Sequence, residues 1–331
     1  MIRHWRRLAA FVPVLALAAF ASPSAAPAWE PTKPIEFVIP AGTGGGADQM
    51  ARLIAGIAEK HKLSPRPFIV VNKSGGAGAE GFLHVKGKKG DAHTIIITLS
   101  NLFTTPLHTG VPFNWKDLTP VARLALDRFI LWVNAETPYK TAKEYMAVVK
   151  ERSGGGERMK MGGTGSAQED QIITIQVEQA LGVKLTYVPF KGGGEVCVNL
   201  VGKHVDSTVN NPIECAGHWK AGRVRPLAVF DPERIPDAEW KEIPTVKEAL
   251  GLDISYNMLR GIFGPPDMPK DAAAWYEAFL KKVMDTPEFK DYLSKGALKA
   301  AYSTGPEYVK WLGEAEQLHK DLMTKGGLLK K

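Results

Sequence analysis

The chain has 331 residues, of which 44% are hydrophobic and 23% are charged, a composition typical of globular rather than disordered proteins. Its formal net charge of +7 comes from scattered Lys and Arg, without a basic stripe interleaved with aromatic residues, which argues against nucleic-acid binding. Beyond the N-terminus no run approaches the ~20 apolar residues of a membrane-spanning helix, and at ~150 residues per domain the length predicts two domains.

Residues 1–28 are predicted to be an export signal. MIRHWRR is positively charged, LAAFVPVLALAAFA is apolar, and SPSAAPA supplies the small residues for cleavage after Ala28. The mature chain would then begin at Trp29, in an oxidising compartment outside the cytoplasm. An uncleaved membrane anchor is the less favoured alternative, because the apolar stretch is short and contains Pro13.

The mature chain opens with alternating strands and helices. Strands are predicted at 34–40, 66–72 and 93–100, with an amphipathic helix from 47 to 63 and a shorter one from 78 to 85. This order predicts a parallel, doubly wound sheet with right-handed crossovers, followed by a loop from 101 to 117.

A second α/β series follows extended segments at 118–126 and 128–134, and a further extended segment occupies 254–265. Because extended segments flank this series, we expect residues 29–131 plus 255–331 to form lobe one and 132–254 to form lobe two. The C-terminal part is predicted to be two long helices separated near Gly296, with Thr304 as an N-cap and Pro306 in a first turn.

Cys197 and Cys215 are the only cysteines. Both lie in apolar helical patterns, so two buried free thiols are the simpler interpretation, although an exported protein can also form a disulfide. Without a Cys-x-x-Cys motif or suitable Cys and His spacing, no metal site is expected.

Two glycine-rich turns each join a strand to a helix, at 42–48 (GTGGGAD) and at 162–170 (GGTGSAQED). A helix N-terminus offers unpaired N–H groups and about half a positive charge, and glycine lets a ligand approach the backbone closely. Two such turns, one in each predicted domain, could bind one anion between them.

Other interpretations of these turns are weaker. Gly42, Gly44 and Ala47 match a dinucleotide-binding pattern, but Asn72 and Lys73 stand where that pattern needs an acidic residue. There is also no G-x-S-x-G or H-E-x-x-H motif. We therefore predict neither a cofactor nor catalytic residues, and an exported α/β enzyme is the minor alternative to a binding protein.

The order of motifs over nearly the whole mature chain resembles one family. PIEFVIPAGTGGGAD, VVNKSGGAGAEG, HTIIITLSN, MGGTGS, VPFKGGGE, VDSTVNNP, WKAGRVRPLAVF, IPTVKEA and GIFGPPDMPK resemble the Bug family of periplasmic receptors of tripartite tricarboxylate transporters. The resemblance implies an α/β, type II-like periplasmic binding protein, with a doubly wound sheet in each of two lobes and a cleft for an organic acid. It also implies membrane transporter components as partners, and we expect a monomer.

The resemblance places the ligand-binding residues on matching positions of this chain. The first turn supplies Gly44, Gly45, Gly46, Ala47 and Asp48, and the second supplies Gly163, Thr164, Gly165, Ser166 and Gln168. Further positions follow later strands or lie on a crossing strand: Ser100, Asn101, Lys191, Gly192, Asn210, Asn211 and Arg260.

The acidic pair Glu169 and Asp170 departs from the pattern of the family. Two helix N-termini together with Lys191 and Arg260 favour a small dicarboxylate, whereas these two acids oppose a purely anionic ligand. An amino-bearing acid, with Glu169 as the partner of its ammonium group, is the alternative.

Overall fold

The computed structural model describes residues 29–330, so the predicted export signal at 1–28 lies outside the described residues. Among residues 29–330, no helix is both long enough and apolar enough to cross a membrane. The chain forms two separate sheets, one of six strands and one of five, with helices packed on them.

The first part of the chain has the predicted alternation of strands and helices. Its elements are β1 (Ile35–Ile39), α1 (Gly46–Lys60), β2 (Phe68–Asn72), α2 (Ala79–Lys86), β3 (Thr94–Thr98), α3 (Asn101–Thr109) and β4 (Thr119–Asp127). The prediction of a loop from 101 to 117 is wrong, because α3 occupies its first nine residues and buries Leu102 and Phe103.

The second part is the inserted α/β series. Its elements are β5 (Ile130–Asn134), α4 (Ala142–Ser153), β6 (Lys160–Thr164), α5 (Glu169–Leu181), β7 (Thr186–Phe190), α6 (Gly193–Val201), β8 (Ser207–Asn210), α7 (Pro212–Lys220), β9 (Val224–Val229) and α8 (Val246–Leu250). These strands form the second sheet in the order β7-β6-β8-β5-β9, in which β6 pairs in parallel with β7 and β8.

The last part of the chain returns to the first sheet. It comprises β10 (Met258–Gly264), α9 (Lys270–Asp285), α10 (Pro287–Lys295), β11 (Lys299–Ser303) and α11 (Gly305–Gly326). The first sheet has the order β11-β4-β10-β3-β1-β2, with β10 antiparallel to both neighbours.

The prediction of two long C-terminal helices is wrong, because the segment holds three helices and β11. The N-cap at Thr304 and the early Pro306 are as predicted.

We call the six-stranded sheet with its helices the first lobe and the five-stranded sheet with its helices the second lobe. The chain passes from β4 to β5 through Arg128 and Phe129, and it returns between β9 and β10. At the first passage the Arg128 Nε lies 3.3 Å from Asp231 Oδ2, and Lys299 Nζ of β11 lies 2.7 Å from the same atom. Asp231 lies on the returning segment, so these ion pairs tie the two crossing segments to each other and to β11 of the first lobe. The lobe ranges given above stay a prediction.

The two cysteines form a disulfide, so the interpretation as free thiols is wrong. Cys197 on α6 and Cys215 on α7 are fully buried, and their Cα atoms are 5.7 Å apart. The two helices lie side by side, a pairing that the separation of 18 residues in sequence does not reveal.

Candidate functional site

A narrow, almost closed cavity of about 10 Å³ lies between the lobes, where helix N-termini from both lobes meet. The first lobe contributes the start of α1, and the second contributes the turns that begin α5, α6 and α7. Of the predicted residues, the cavity is lined by Gly45, Gly46, Ala47, Thr164, Gly192 and Asn211.

A side chain from the first turn of α1, that of Asp48, holds the first glycine turn in place. Gly44 has a left-handed φ of +79°, and its N–H donates to Asp48 Oδ2 over 2.9 Å. Arg52 Nε donates to Asp48 as well, over 3.0 Å. Burial opposes ionisation of Asp48, but the hydrogen bonds from Arg52 and Gly44 outweigh it, so the pKa of Asp48 lies below its ordinary value. Asp48 therefore fixes the turn as a charged carboxylate.

The start of α1 already binds a carboxylate oxygen across the cleft. The Gly46 N–H donates to Oε1 of Glu214, in the first turn of α7, over 2.8 Å. The two residues are 168 positions apart in the chain. Glu214 was not among the predicted site residues, although its position shortly after Asn210 and Asn211 is a usable signal.

Glycine is required where the two lobes touch. The Gly42 N–H donates to the Lys191 carbonyl over 3.2 Å, and a Cβ on Gly42 would lie 2.9 Å from that oxygen. On the opposite side, a Cβ on Gly194 would lie 2.8 Å from the Gly44 carbonyl. Side chains at these positions would hold the two turns apart.

The second glycine turn is internally satisfied in this conformation. The Thr164 N–H donates to Asp170 Oδ2, that of Gly165 to the Phe190 carbonyl, and that of Ala167 to Gln171 Oε1. The turn therefore presents Thr164, Glu169 and Asp170 to the cavity, and not the N–H groups of Thr164, Gly165 and Ala167, which already have acceptors.

Tyr187, which the sequence analysis did not identify, braces this turn. Its hydroxyl donates to the Gly165 carbonyl over 3.0 Å. A Cβ on Gly163 would lie 2.4 Å from the same hydroxyl oxygen, so Gly163 leaves room for Tyr187.

Several predicted residues line a wider opening beside the cavity: Gly165, Ser166, Gln168 and Lys191. Gln168 is buried and its Nε2 donates across the cleft to the Ala77 carbonyl over 3.2 Å. Ser166 and Lys191 are exposed, and it is the backbone of Lys191 that contacts the first lobe. The charge of Lys191 thus lies at the entrance and not in the cavity.

The predicted asparagines hold backbone segments in place. Asn101 Nδ2 donates to the Pro40 carbonyl over 3.0 Å, Asn210 Nδ2 to the Gly193 carbonyl over 2.9 Å, and Asn211 Nδ2 to the Arg128 carbonyl over 2.8 Å. Ser100 is fully buried beside Asn101. Of these residues, Asn211 alone borders the narrow cavity.

Arg260 is buried and committed to an acid. Its Nε lies 3.0 Å from Asp127 Oδ2, and both side chains are fully buried. Its Nη2 also donates to Asn211 Oδ1 over 3.3 Å. Arg260 is therefore already paired with an acid before any ligand binds, while its Nη1 has no hydrogen-bond partner among residues 29–330.

Three further acids face the narrow cavity from the second lobe: Glu169, Asp170 and Glu214. Burial raises the pKa of Glu169 and that of Glu214 to about 7. Burial, followed by the neighbouring charge of Glu169, raises the pKa of Asp170 well above its ordinary value. Within residues 29–330, no three His, Cys, Asp or Glu side chains are arranged to hold a metal ion.

Comparisons with known proteins agree with this architecture. The model of the family described as "Tripartite tricarboxylate transporter family receptor" matches residues 50–328. A UPF0065 protein from the gbd 5′ region of Cupriavidus necator is 30% identical over 327 residues, which cover 98% of this chain and 96% of that protein.

Two solved structures share the fold at lower identity. The periplasmic binding protein BugD has a TM-score of 0.83 and 21% identity, covering 91% of this chain and 100% of its own. An adipate-bound protein of R. palustris has a TM-score of 0.84 and 21% identity, and the match covers 91% of this chain and 99% of that protein. The two-lobed α/β fold predicted from the sequence is confirmed, and the chain belongs to the receptor family of the tripartite tricarboxylate transporters.

Proposed function

We propose that this chain captures a small organic carboxylate between its lobes and delivers it to the membrane components of a tripartite tricarboxylate-type transporter. In this proposal residues 1–28 direct export to the periplasm, and the receptor acts there as a monomer. Membership of a receptor family argues for binding without turnover.

The hydrogen bond from Gly46 to Glu214 Oε1 supports the proposal most strongly. It joins a helix N-terminus of the first lobe to a carboxylate oxygen supplied by the second lobe. A ligand carboxylate offers the same acceptor, and the partial positive charge of the helix N-terminus favours its negative charge. The protein of R. palustris that shares this fold is bound to adipate, a dicarboxylate.

The predicted site residues divide into three roles in this proposal. Those that line the narrow cavity would contact the ligand: Gly45, Gly46, Ala47, Thr164, Gly192 and Asn211. Those at the wider opening would form the entrance: Gly165, Ser166, Gln168 and Lys191. The others would hold these segments in place: Gly44, Asp48, Ser100, Asn101, Gly163, Asn210 and Arg260.

A thermal-shift screen of the mature chain against monocarboxylates, dicarboxylates and amino acids tests the proposal. A ligand present at 100 times its Kd should stabilise the protein by ~2.7 kcal/mol and raise Tm. NMR of the mixture should show the ligand intact after prolonged incubation. If no organic acid raises Tm the proposal is contradicted, and if the acid is consumed the exported enzyme is the better account.

A further inference from the structure

We propose that the ligand of this cleft carries a positively charged amino group beside its carboxylate, and that Glu169 and Glu214 bind that group. This inference rests on the proposed function, because it assigns the ligand class of the same cleft.

Two carboxylate oxygens of residues that line the cavity lack hydrogen-bond partners within residues 29–330. Glu169, in the first turn of α5, is 3% exposed, and its Oε2 has no hydrogen-bond partner among the described residues. Glu214 is partly buried; its Oε1 accepts from Gly46, but its Oε2 has no partner among the same residues. Both residues line the narrow cavity. An unpaired buried carboxylate is costly, so these two atoms mark a place for a hydrogen-bond donor.

The charges around the cavity favour a cationic donor. Asp127, Glu169, Asp170 and Glu214 are acids, whereas the cations Arg260 and Arg128 near this set are already paired, Arg260 with Asp127 and Arg128 with Asp231. The nearby phenols of Tyr187, Tyr256 and Tyr292 are neutral, since burial raises the pKa of each. A dicarboxylate would add negative charge to this set, while an ammonium group would pair with it.

A zwitterionic ligand can replace the hydrogen bond between Gly46 and Glu214 and still give Glu214 a new partner. Its carboxylate would take the place of Glu214 Oε1 at the Gly46 N–H, and the released Glu214 would bind the ammonium group of the same ligand. A dicarboxylate would displace Glu214 but supply no cation to receive it. The cleft therefore favours the amino acid over the matching diacid.

Calorimetry with matched ligand pairs tests the inference. The wild type is titrated with glutarate and glutamate, and with adipate and 2-aminoadipate. We expect each amino acid to bind at least ten times more tightly than its diacid.

Matched variants locate the ammonium site. Glu169→Gln and Glu214→Gln, studied separately, should each weaken amino-acid binding about 10- to 100-fold, as expected for a lost hydrogen bond to a charged group. Neither should weaken diacid binding. Glu151→Gln, on the exposed face of α4, is the control and should change nothing.

The proton balance of binding gives a second measurement. An ammonium group lowers the pKa of Glu169 and Glu214, so amino-acid binding near pH 7 should release protons, whereas diacid binding should take them up. Titrations in two buffers of different ionisation enthalpy measure this difference.

The outcomes separate this inference from the proposed function. Diacids that bind as tightly as their amino acids, with both Glu→Gln variants neutral or improved, would overturn the inference and leave carboxylate capture intact. Binding of 1-aminopentane but of none of the acids would retain the ammonium site and overturn carboxylate capture. Binding of no probe would overturn both.

Discussion

Asp127→Asn should destabilise the protein strongly, because it leaves the Arg260 guanidinium buried without its counter-ion. Both side chains are fully buried, and Arg260 Nε lies 3.0 Å from Asp127 Oδ2. Within residues 29–330, the other acceptor that Arg260 contacts is Asn211 Oδ1, at 3.3 Å, which carries no charge. Breaking a buried ion pair from one side costs ~3–5 kcal/mol, so Tm should fall by roughly 6 °C or more.

Thermal and urea unfolding of three variants measure this effect. Asp285→Asn is the control, since it removes an acid from the exposed pair with Lys281 and should cost less than ~1 kcal/mol. The double variant Asp127→Leu with Arg260→Met removes both charges and should recover most of the lost stability. A loss in Asp127→Asn no larger than in the control would refute the reasoning.

Three further predictions concern stability. The double variant Cys197→Ala with Cys215→Ala should lower the free energy of unfolding by ~3 kcal/mol, because the disulfide closes a loop of 18 residues; equal denaturation midpoints with and without the disulfide would contradict this. Glu169→Gln should gain stability relative to the wild type as the pH rises from ~4.3 to above 7, measured as Tm at several pH values. The reason is that folded Glu169, with a pKa of about 7, keeps a proton that the unfolded chain has already released. The contribution of Glu169 to the stability of the wild type is therefore present at low pH and lost when the side chain ionises. A difference in Tm between variant and wild type that does not change with pH would contradict this prediction. Gly163→Ala should cost ~1–3 kcal/mol because its Cβ would lie 2.4 Å from the Tyr187 hydroxyl oxygen, and adding Tyr187→Phe should recover part of that loss in chemical denaturation.

The alternation of elements was predictable because its signals are local. The run Ile35–Ile39 is apolar except for Glu36, the glycines at 44–46 break it, and the helical spacing of Met50, Ile54 and Ile57 follows at once. Strand β11 was not predictable in the same way. Its short sequence KAAYS carries little β preference, and it becomes a strand by pairing Lys299 with Leu126 at the sheet edge.

Of the candidate site, the sequence predicted only the two glycine-rich backbone turns. The glycine turns are visible in the sequence, but the acids that face them come from distant parts of the chain. Glu214 meets Gly46 across 168 residues, and Asp127 meets Arg260 across 133. The first pair depends on how the lobes meet, and the second depends on the pairing of β4 with β10 within the first sheet. The sequence could therefore suggest Glu169 as a ligand partner while missing Glu214 and the pairing of Arg260 with Asp127.

Gly45 is the position that tests carboxylate capture between the lobes with least disturbance of the fold. Its φ of −73° suits any residue, and a Cβ there would lie 3.4 Å from Glu214 Oε1 and 3.8 Å from the Gly193 nitrogen. The branched methyl groups of valine would then fill the narrow cavity. Gly165 is less suitable because its φ of +59° strains any side chain, and a Cβ on Gly46 would lie 2.4 Å from Arg260 Nη2.

The most direct test is therefore a calorimetric titration of wild type, Gly45→Val and Gly56→Val with the acid that gives the largest thermal shift. Gly56 lies on the exposed face of α1 with open space around it, so its variant controls for valine in or beside that helix. The account predicts that Gly45→Val loses at least 100-fold in affinity, ~2.7 kcal/mol, while its circular dichroism matches the wild type and Gly56→Val binds normally. Unchanged affinity in a folded Gly45→Val protein would contradict capture of the ligand at the start of α1.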